Sequence, residues 1–253
     1  MATSAMVDGT SPALPERGLQ LMKEMMVNTD QASPVSTKVE SVPTNAPIAL
    51  PIELKFADPT ALGLFGLAIG CAALLPIAFG VKSAMTVDAL RTAAWFCLLF
   101  GGGCQFLAGI MSFANKNMLG GTLLTTFSFN WVMNWWALDG LVQGKTASPA
   151  IILSVDICFL VIFFAMTYAF GFFSKLLVVF LLDIDVIYAL RITRDLTHAQ
   201  TAFAMPIAIA TLVLMLLALY IAVALVLVNA SGKSVLPMGG PLFGAGAANA
   251  PTH

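Results

Sequence analysis

The chain has 253 residues, a formal net charge of −1, 59% hydrophobic residues and only 10% charged ones. About a quarter of a usual soluble chain is charged, so this composition excludes a soluble globular domain. With no block of Lys and Arg to meet phosphates, nucleic acid is excluded as a partner.

Residues 1–57 are rich in Ser, Thr, Pro, Asn and Glu and poor in aromatics. Such a segment buries too little surface to offset chain entropy, so a disordered N-terminal extension is expected. Within it, Leu19, Met22, Met25 and Met26 could form one face of a short interfacial helix. The start lacks the charged, apolar and small-residue zones of a secretory signal.

Residues 58–230 then carry apolar runs, each about the length of ~20 helical residues that a hydrocarbon core takes to cross. Span 1 is expected from about Pro59 to Val81, with Asp58 as N-cap and Pro59 at the first helical position. Span 2 covers about Asp88 to Phe113, span 3 Leu119 to Leu141, span 4 Ala150 to Phe170, span 5 Phe173 to Ile192 and span 6 Thr201 to Val228. Spans 4 and 5 must be separated by a tight turn around Gly171 and Lys175, because one helix through both would be about twice the bilayer thickness. Residues 231–253 read as a Gly- and Pro-containing C-terminal tail. Backbone groups in lipid must be satisfied internally, and no alternating strand pattern is present. The fold class is therefore an all-α membrane protein, six transmembrane helices forming a pore-containing bundle. Both termini then lie on one side, and the flanking Lys and Arg residues do not choose which side.

Candidate functional residues lie inside these spans. Gly66 and Gly70 have the spacing that allows close helix approach; Gly101, Gly102, Gly103 and Gly109 form a second small-residue cluster. Span 3 is rich in hydroxyls and amides, with Thr122, Thr125, Thr126, Ser128, Asn130 and Asn134 set among Phe127, Phe129, Trp131, Trp135 and Trp136. Thr122, Thr126 and Asn130 share one helix face. That stripe reads either as interhelical hydrogen bonding or as the lining of a permeation path. Asp156, Asp183 and Asp185 stand at bilayer depth, where a carboxylate is expected to be paired, protonated or facing water. Asp183 and Asp185 project on different faces, so they are no dyad, and one of them could pair with an arginine. Cys71, Cys97, Cys104 and Cys158 all fall in apolar runs, where thiols act as small buried hydrophobes, and no His or carboxylate completes a metal site. No catalytic residues, metal or cofactor are expected, because no nucleophile elbow, zinc spacing or P-loop is present. His198 reads as a solvated loop residue.

Four segments carry a resemblance. Asp58-Pro59-Thr60-Ala61-Leu62-Gly63-Leu64 resembles the Asn-Pro-Ala-Pro-Leu-Gly-Leu signature of the acetate uptake transporter family. Gly101 to Gly109 (GGGCQFLAG) is similar to that family's GG-x-x-Q-x-x-AG stretch. Asn117 to Trp131 looks like its Gly-Asn-Thr-Phe-Gly segment and following helix, and Gly232 to Gly239 (GKSVLPMG) is similar to its C-terminal GRTVLPIG.

The resemblance implies a six-helix protomer, assembled as a hexamer, with a pore in each protomer for acetate and related short carboxylates, often moved with a proton. The family's narrow point, an aromatic in span 1, a tyrosine in span 3 and a leucine in span 5, maps onto Leu67, Phe127 and Leu182, the last with a register open by one residue. Leu67 thus lacks the aromatic and Phe127 the hydroxyl. Ser112 replaces a glutamate, Asp58 an asparagine, and Asp183 a small polar residue. The expected pathway residues are Leu67, Gln105, Thr125, Thr126, Phe127, Ser128, Leu182 and Asp183, with Asp183 or Asp156 as proton carrier. The resulting expectation is a monocarboxylate transporter or channel, not an enzyme, in the plasma membrane with cytoplasmic termini. The alternatives are the same fold carrying succinate, ammonium or another small metabolite, or a non-transporting structural membrane protein with a closed bundle.

Overall fold

The computed structural model describes residues 56–244. The expected disordered extension and the interfacial helix within it fall, but for its last two residues, outside the described residues.

Among the described residues there are six long helices and no strand: α1 (Thr60–Ala78), α2 (Val87–Ala114), α3 (Met118–Val142), α4 (Pro149–Phe170), α5 (Lys175–Thr197) and α6 (Gln200–Ser231). Their boundaries follow local chemistry. Asp58 Oδ1 accepts from the Thr60 amide at 3.0 Å and the Thr60 hydroxyl at 2.6 Å, so α1 begins one residue later than Pro59. Thr86 caps α2 through Ala89 N (3.3 Å) and Asn117 caps α3 through Gly120 N (2.9 Å). Pro149 opens α4 at a position where its missing N–H costs nothing. Left-handed His198 (φ 53°) and Gly232 (φ 66°) end α5 and α6.

Helices α1, α2, α4 and α6 are long and apolar enough to cross a membrane. Helices α3 and α5 are as long but carry the polar and charged side chains of the bundle. Helix α1 packs along α6 on one side and α2 on the other, α2 on α3, and α4 on α5, which returns to α6. The ring is closed between α3 and α4 by Phe127 and Phe163, edge to face at 5.2 Å. Helix α4 is the outermost element: Asp156 and Phe163 are its buried residues, while Ile151, Val161, Phe164 and Tyr168 face outward.

The small residues of α1 and α2 serve close approach. A Cβ at Gly66 would lie 2.5 Å from the Phe100 carbonyl oxygen and 2.6 Å from Cys104 Cβ, one at Gly70 2.9 Å from the Trp131 ring, and one at Gly101 would overlap that same ring. Within α2, Cys97–Cys104 winds as a π-helix, a widened form common next to functional positions, and the α-helix that resumes at Gln105 carries that side chain fully buried. Cys97 and Cys104 are unpaired thiols.

The break between α4 and α5 is a turn at Gly171–Ser174, as the span lengths require, and residues 236–243 bind it. Ser174 Oγ donates to the Met238 carbonyl (2.6 Å), Lys175 N to the Gly240 carbonyl (2.9 Å) and Leu242 N to the Gly171 carbonyl (2.8 Å). Tyr220 Oη donates to the Pro237 carbonyl at 3.0 Å. The described part of the C-terminal segment is thus a strap over the α4–α5 turn.

Gly66→Ala places a carbon against backbone and Cβ atoms that cannot rotate away, and overpacking of this kind is worth about 1–3 kcal/mol. Gly103→Ala, whose Cβ would lie 3.6 Å from the Leu98 carbonyl oxygen, serves as control. Thermal unfolding in detergent is expected to show a lowered midpoint for Gly66→Ala and a change within about 0.5 kcal/mol for Gly103→Ala.

Candidate functional site

The inward faces of the bundle enclose two cavities that approach each other from opposite ends. The terminal-face cavity, about 230 Å³, lies near the starts of α1, α3 and α5 and is lined by Leu64, Leu67, Gln105, Leu123, Phe127 and Ile184 among others, with Met238 of the strap at its edge. The distal cavity, about 300 Å³, is lined by Cys71, Asn130, Trp131, Asn134, Tyr188, Arg191 and Arg194, together with Phe127 and Ile184. Each is many times the space one water molecule takes. Phe127 and Ile184 belong to both, so they mark the junction.

Phe127 is held there by rings. It meets Phe163 edge-on and Trp131 edge-on at 6.2 Å, while Phe163 stacks on Tyr188 at 5.5 Å and on Phe159 at 5.9 Å. Aromatic pairs in these geometries add about 0.5–1.5 kcal/mol each beyond area burial, so the ring at the junction is a fixed element.

The distal cavity differs in chemistry from the terminal-face one. Arg191 Nη2 is 3.0 Å from Asp156 Oδ1, joining α5 to α4, and its guanidinium carbon lies 5.4 Å above the Tyr188 ring. Arg194 Nε is 2.8 Å from Asp195 Oδ1. Asn134 donates to the Asn130 carbonyl at 3.0 Å. In the terminal-face cavity apolar side chains predominate, and Gln105 supplies the buried amide, its Oε1 without a protein partner.

The structure sorts the expected pathway residues. Leu67, Gln105 and Phe127 line the cavities. Thr125, Thr126 and Ser128 line neither. A Cβ at Gly109 would run into the Thr125 hydroxyl, one at Gly102 would lie 3.6 Å from the Ser128 carbonyl, and Ser128 Oγ donates to the Thr125 carbonyl at 2.6 Å. Thr125 and Ser128 therefore face α2, where small groups let two helices meet. Of the Thr122, Thr126, Asn130 stripe, Asn130 alone reaches a cavity. The inward face of α3 is Leu123, Phe127, Asn130, Trp131 and Asn134 instead.

Leu182 is corrected in the same way. It is 50% exposed on the outside of α5, whereas Leu181 and Ile184 are buried and Ile184 stands at the junction. Two residues along a helix turn the side chain by about 200°. Asp183 is half-buried, lines neither cavity, and its buried Oδ2 has no partner among the described residues. Neither Asp183 nor Asp185 pairs with an arginine: Asp185 Oδ2 accepts from the Thr167 hydroxyl at 2.6 Å, and Arg191 is taken by Asp156. An ion-paired Asp156 is a poor proton carrier. Sequence reasoning missed Tyr188, Ile184 and the distal role of Arg191; four-residue spacing of Ile184, Tyr188 and Arg191 with one shortened step was the available signal.

A bundle of six long helices, four of them long and apolar enough to cross a membrane, defines the class as a helical membrane protein. Residues 42–138 match the GPR1/FUN34/yaaH family, and over that stretch the resemblance read from the sequence is borne out. The Glyoxylate pathway regulator of Yarrowia lipolytica (strain CLIB 122 / E 150) is 33% identical over 85 residues, 34% of this chain and 30% of that protein, so the matched segment spans under a third of that relative. The fold is that of the bacterial acetate channel SatP, with a TM-score of 0.65 over 73% of this chain and 100% of the SatP chain at 22% identity.

Asp156→Asn leaves the Arg191 charge in the bundle without its counter-charge, and breaking a buried pair from one side costs about 3–5 kcal/mol, less here because Arg191 is partly exposed. The expected outcome is a lower unfolding midpoint for Asp156→Asn, largely recovered by the double variant Asp156→Asn/Arg191→Leu.

Proposed function

We propose that this protein conducts acetate and similar short monocarboxylates across a membrane, through the axis on which the two cavities meet. The observation that carries this reading is the sharing of Phe127 and Ile184 by cavities opening from opposite ends. A closed structural bundle would have a filled axis on both sides of that junction. The family match and the SatP fold support the substrate class.

The junction of Phe127 and Ile184, with Leu67 on its terminal side, offers no side-chain hydrogen-bond donor, and a bare carboxylate entering it loses hydration without replacement. The neutral acid crosses more readily, so coupling to protons resides in the solute's own proton and needs no Asp183 relay. Outward apolar faces on α2 and α4, including Leu99, Phe106, Ile110, Val161 and Phe164, suit lipid or further copies of the chain in a homo-oligomer, which the family resemblance puts at six. Plasma membrane residence with cytoplasmic termini belongs to the same reading.

Labelled acetate uptake into proteoliposomes tests the path. Phe127→Trp, which enlarges the junction side chain, is expected to reduce uptake at least about tenfold, whereas Leu182→Ala on the outer face leaves it near wild type; unaltered uptake in Phe127→Trp defeats the assignment. Transport of the neutral form makes a second measurement decisive. A short carboxylic acid titrates near pH ~4.3, so each unit of pH lowered above that value raises its neutral fraction about tenfold. Protein-dependent uptake, taken as the difference from Phe127→Trp vesicles, is expected to rise about tenfold from external pH 7 to 6, and a flat profile rules out neutral-acid passage.

A further inference from the structure

We infer that the distal cavity contains a carboxylate-binding site formed by Arg191, Tyr188 and Trp131, which selects acids over cations before the junction is reached. The inference rests on the passage reading above and assigns it a recognition step.

Three observations converge on this cavity. First, the Arg191 guanidinium has five N–H donors, and its one protein acceptor among the described residues is Asp156, at 3.0 Å through Nη2. Asp156 from α4 and the Tyr188 ring beneath fix the plane of the fork. A carboxylate matches such a fork in two parallel hydrogen bonds, which an ammonium ion cannot make. Second, Tyr188 and Trp131 line the same cavity, are 1% and 3% exposed, and bear donors without a protein partner at Oη and Nε1. A buried donor left unmade is costly, and rings of this size are held in place by their neighbours, Phe159 and Phe163 for Tyr188 and Phe127 for Trp131. Third, Asn130 and Asn134 on the facing helix add amides to the wall.

The charges around the site set its strength. Asp156 answers Arg191 and Asp195 answers Arg194, so an arriving carboxylate meets a guanidinium already half-neutralised. Binding is therefore weak, as a passage requires of any site that must release what it takes.

Equilibrium binding to the purified full-length protein in detergent separates this proposal from the passage reading. Saturation-transfer NMR read on the methyl protons is expected to show saturable binding of sodium acetate and none of methylammonium chloride. Tyr188→Phe removes one oxygen and keeps the stacked ring; it is expected to weaken acetate about threefold to tenfold with the unfolding midpoint little changed. Arg191→Lys keeps the charge for Asp156 and loses the fork, with an expected loss of about tenfold or more. Acetate binding unchanged in both variants, absent in wild type while flux persists, or matched by saturable methylammonium binding overturns the site. Binding that behaves as expected in a protein that conducts no acetate leaves the site standing and overturns the passage.

Discussion

Polar side chains within membrane-spanning helices must find their partners inside the bundle, since hydrocarbon supplies none. This constraint organises the molecule. Its polar and charged groups are concentrated on α3 and α5, and the helices around them present apolar faces outward. Helix α4 shows the constraint most plainly: it is held by an ion pair from Asp156 to Arg191, a hydrogen bond from Thr167 to Asp185, and Phe163 inserted between Phe127 and Tyr188. The ion pair and the Phe163 packing also fix residues that line the cavities, Arg191, Tyr188 and Phe127. Attachments that keep the outer helix in place thus also shape the inner walls.

How far the sequence could be read follows from which interactions are local. Span lengths were legible, because bilayer thickness sets them and because Asp58, Asn117 and Pro149 act within a few residues of themselves. The inward face of α3 was not. Thr122, Thr126 and Asn130 repeat at helical spacing, but so do Leu123, Phe127, Trp131 and Asn134, and the choice between the stripes was made by α2. Its glycines at Gly102 and Gly109 draw the Thr125 and Ser128 side of α3 against them, turning the neighbouring face to the axis. Helix α5 offers the same lesson. The junction residue is Ile184, whereas Leu182, the position the family resemblance implied to within one residue, lies on the outer surface. The Asp156 to Arg191 pair joins two helices, and no local pattern announces it.

The two cavities are chemically unequal, and the inequality sets what each can contribute. A solute on the distal side meets cations and fixed donors at Arg191, Arg194, Tyr188 and Trp131; one on the terminal side meets leucines, phenylalanines and the single buried amide of Gln105, beneath Met238 of the strap. On the proposed passage, an anion would gather where the donors are, and the barrier would lie beyond them at Phe127, where neither charge nor hydrogen bond is answered. Charge recognition and the apolar narrowing are thus separated along the axis. On that proposal the first would act on chemical class and the second on size and hydration, so a change at Phe127 would alter the rate for every acid alike more than the choice of acid over cation. The strap belongs to the second function. Its backbone is fastened to the α4–α5 turn by Ser174, Lys175 and Gly171, which places a flexible thioether at the edge of the apolar vestibule. Met238 thereby joins the wall of that vestibule to the α4–α5 turn, whereas the donor-lined cavity at the far end takes most of its polar wall from α3 and α5 and the rest of its lining from α1 and α6.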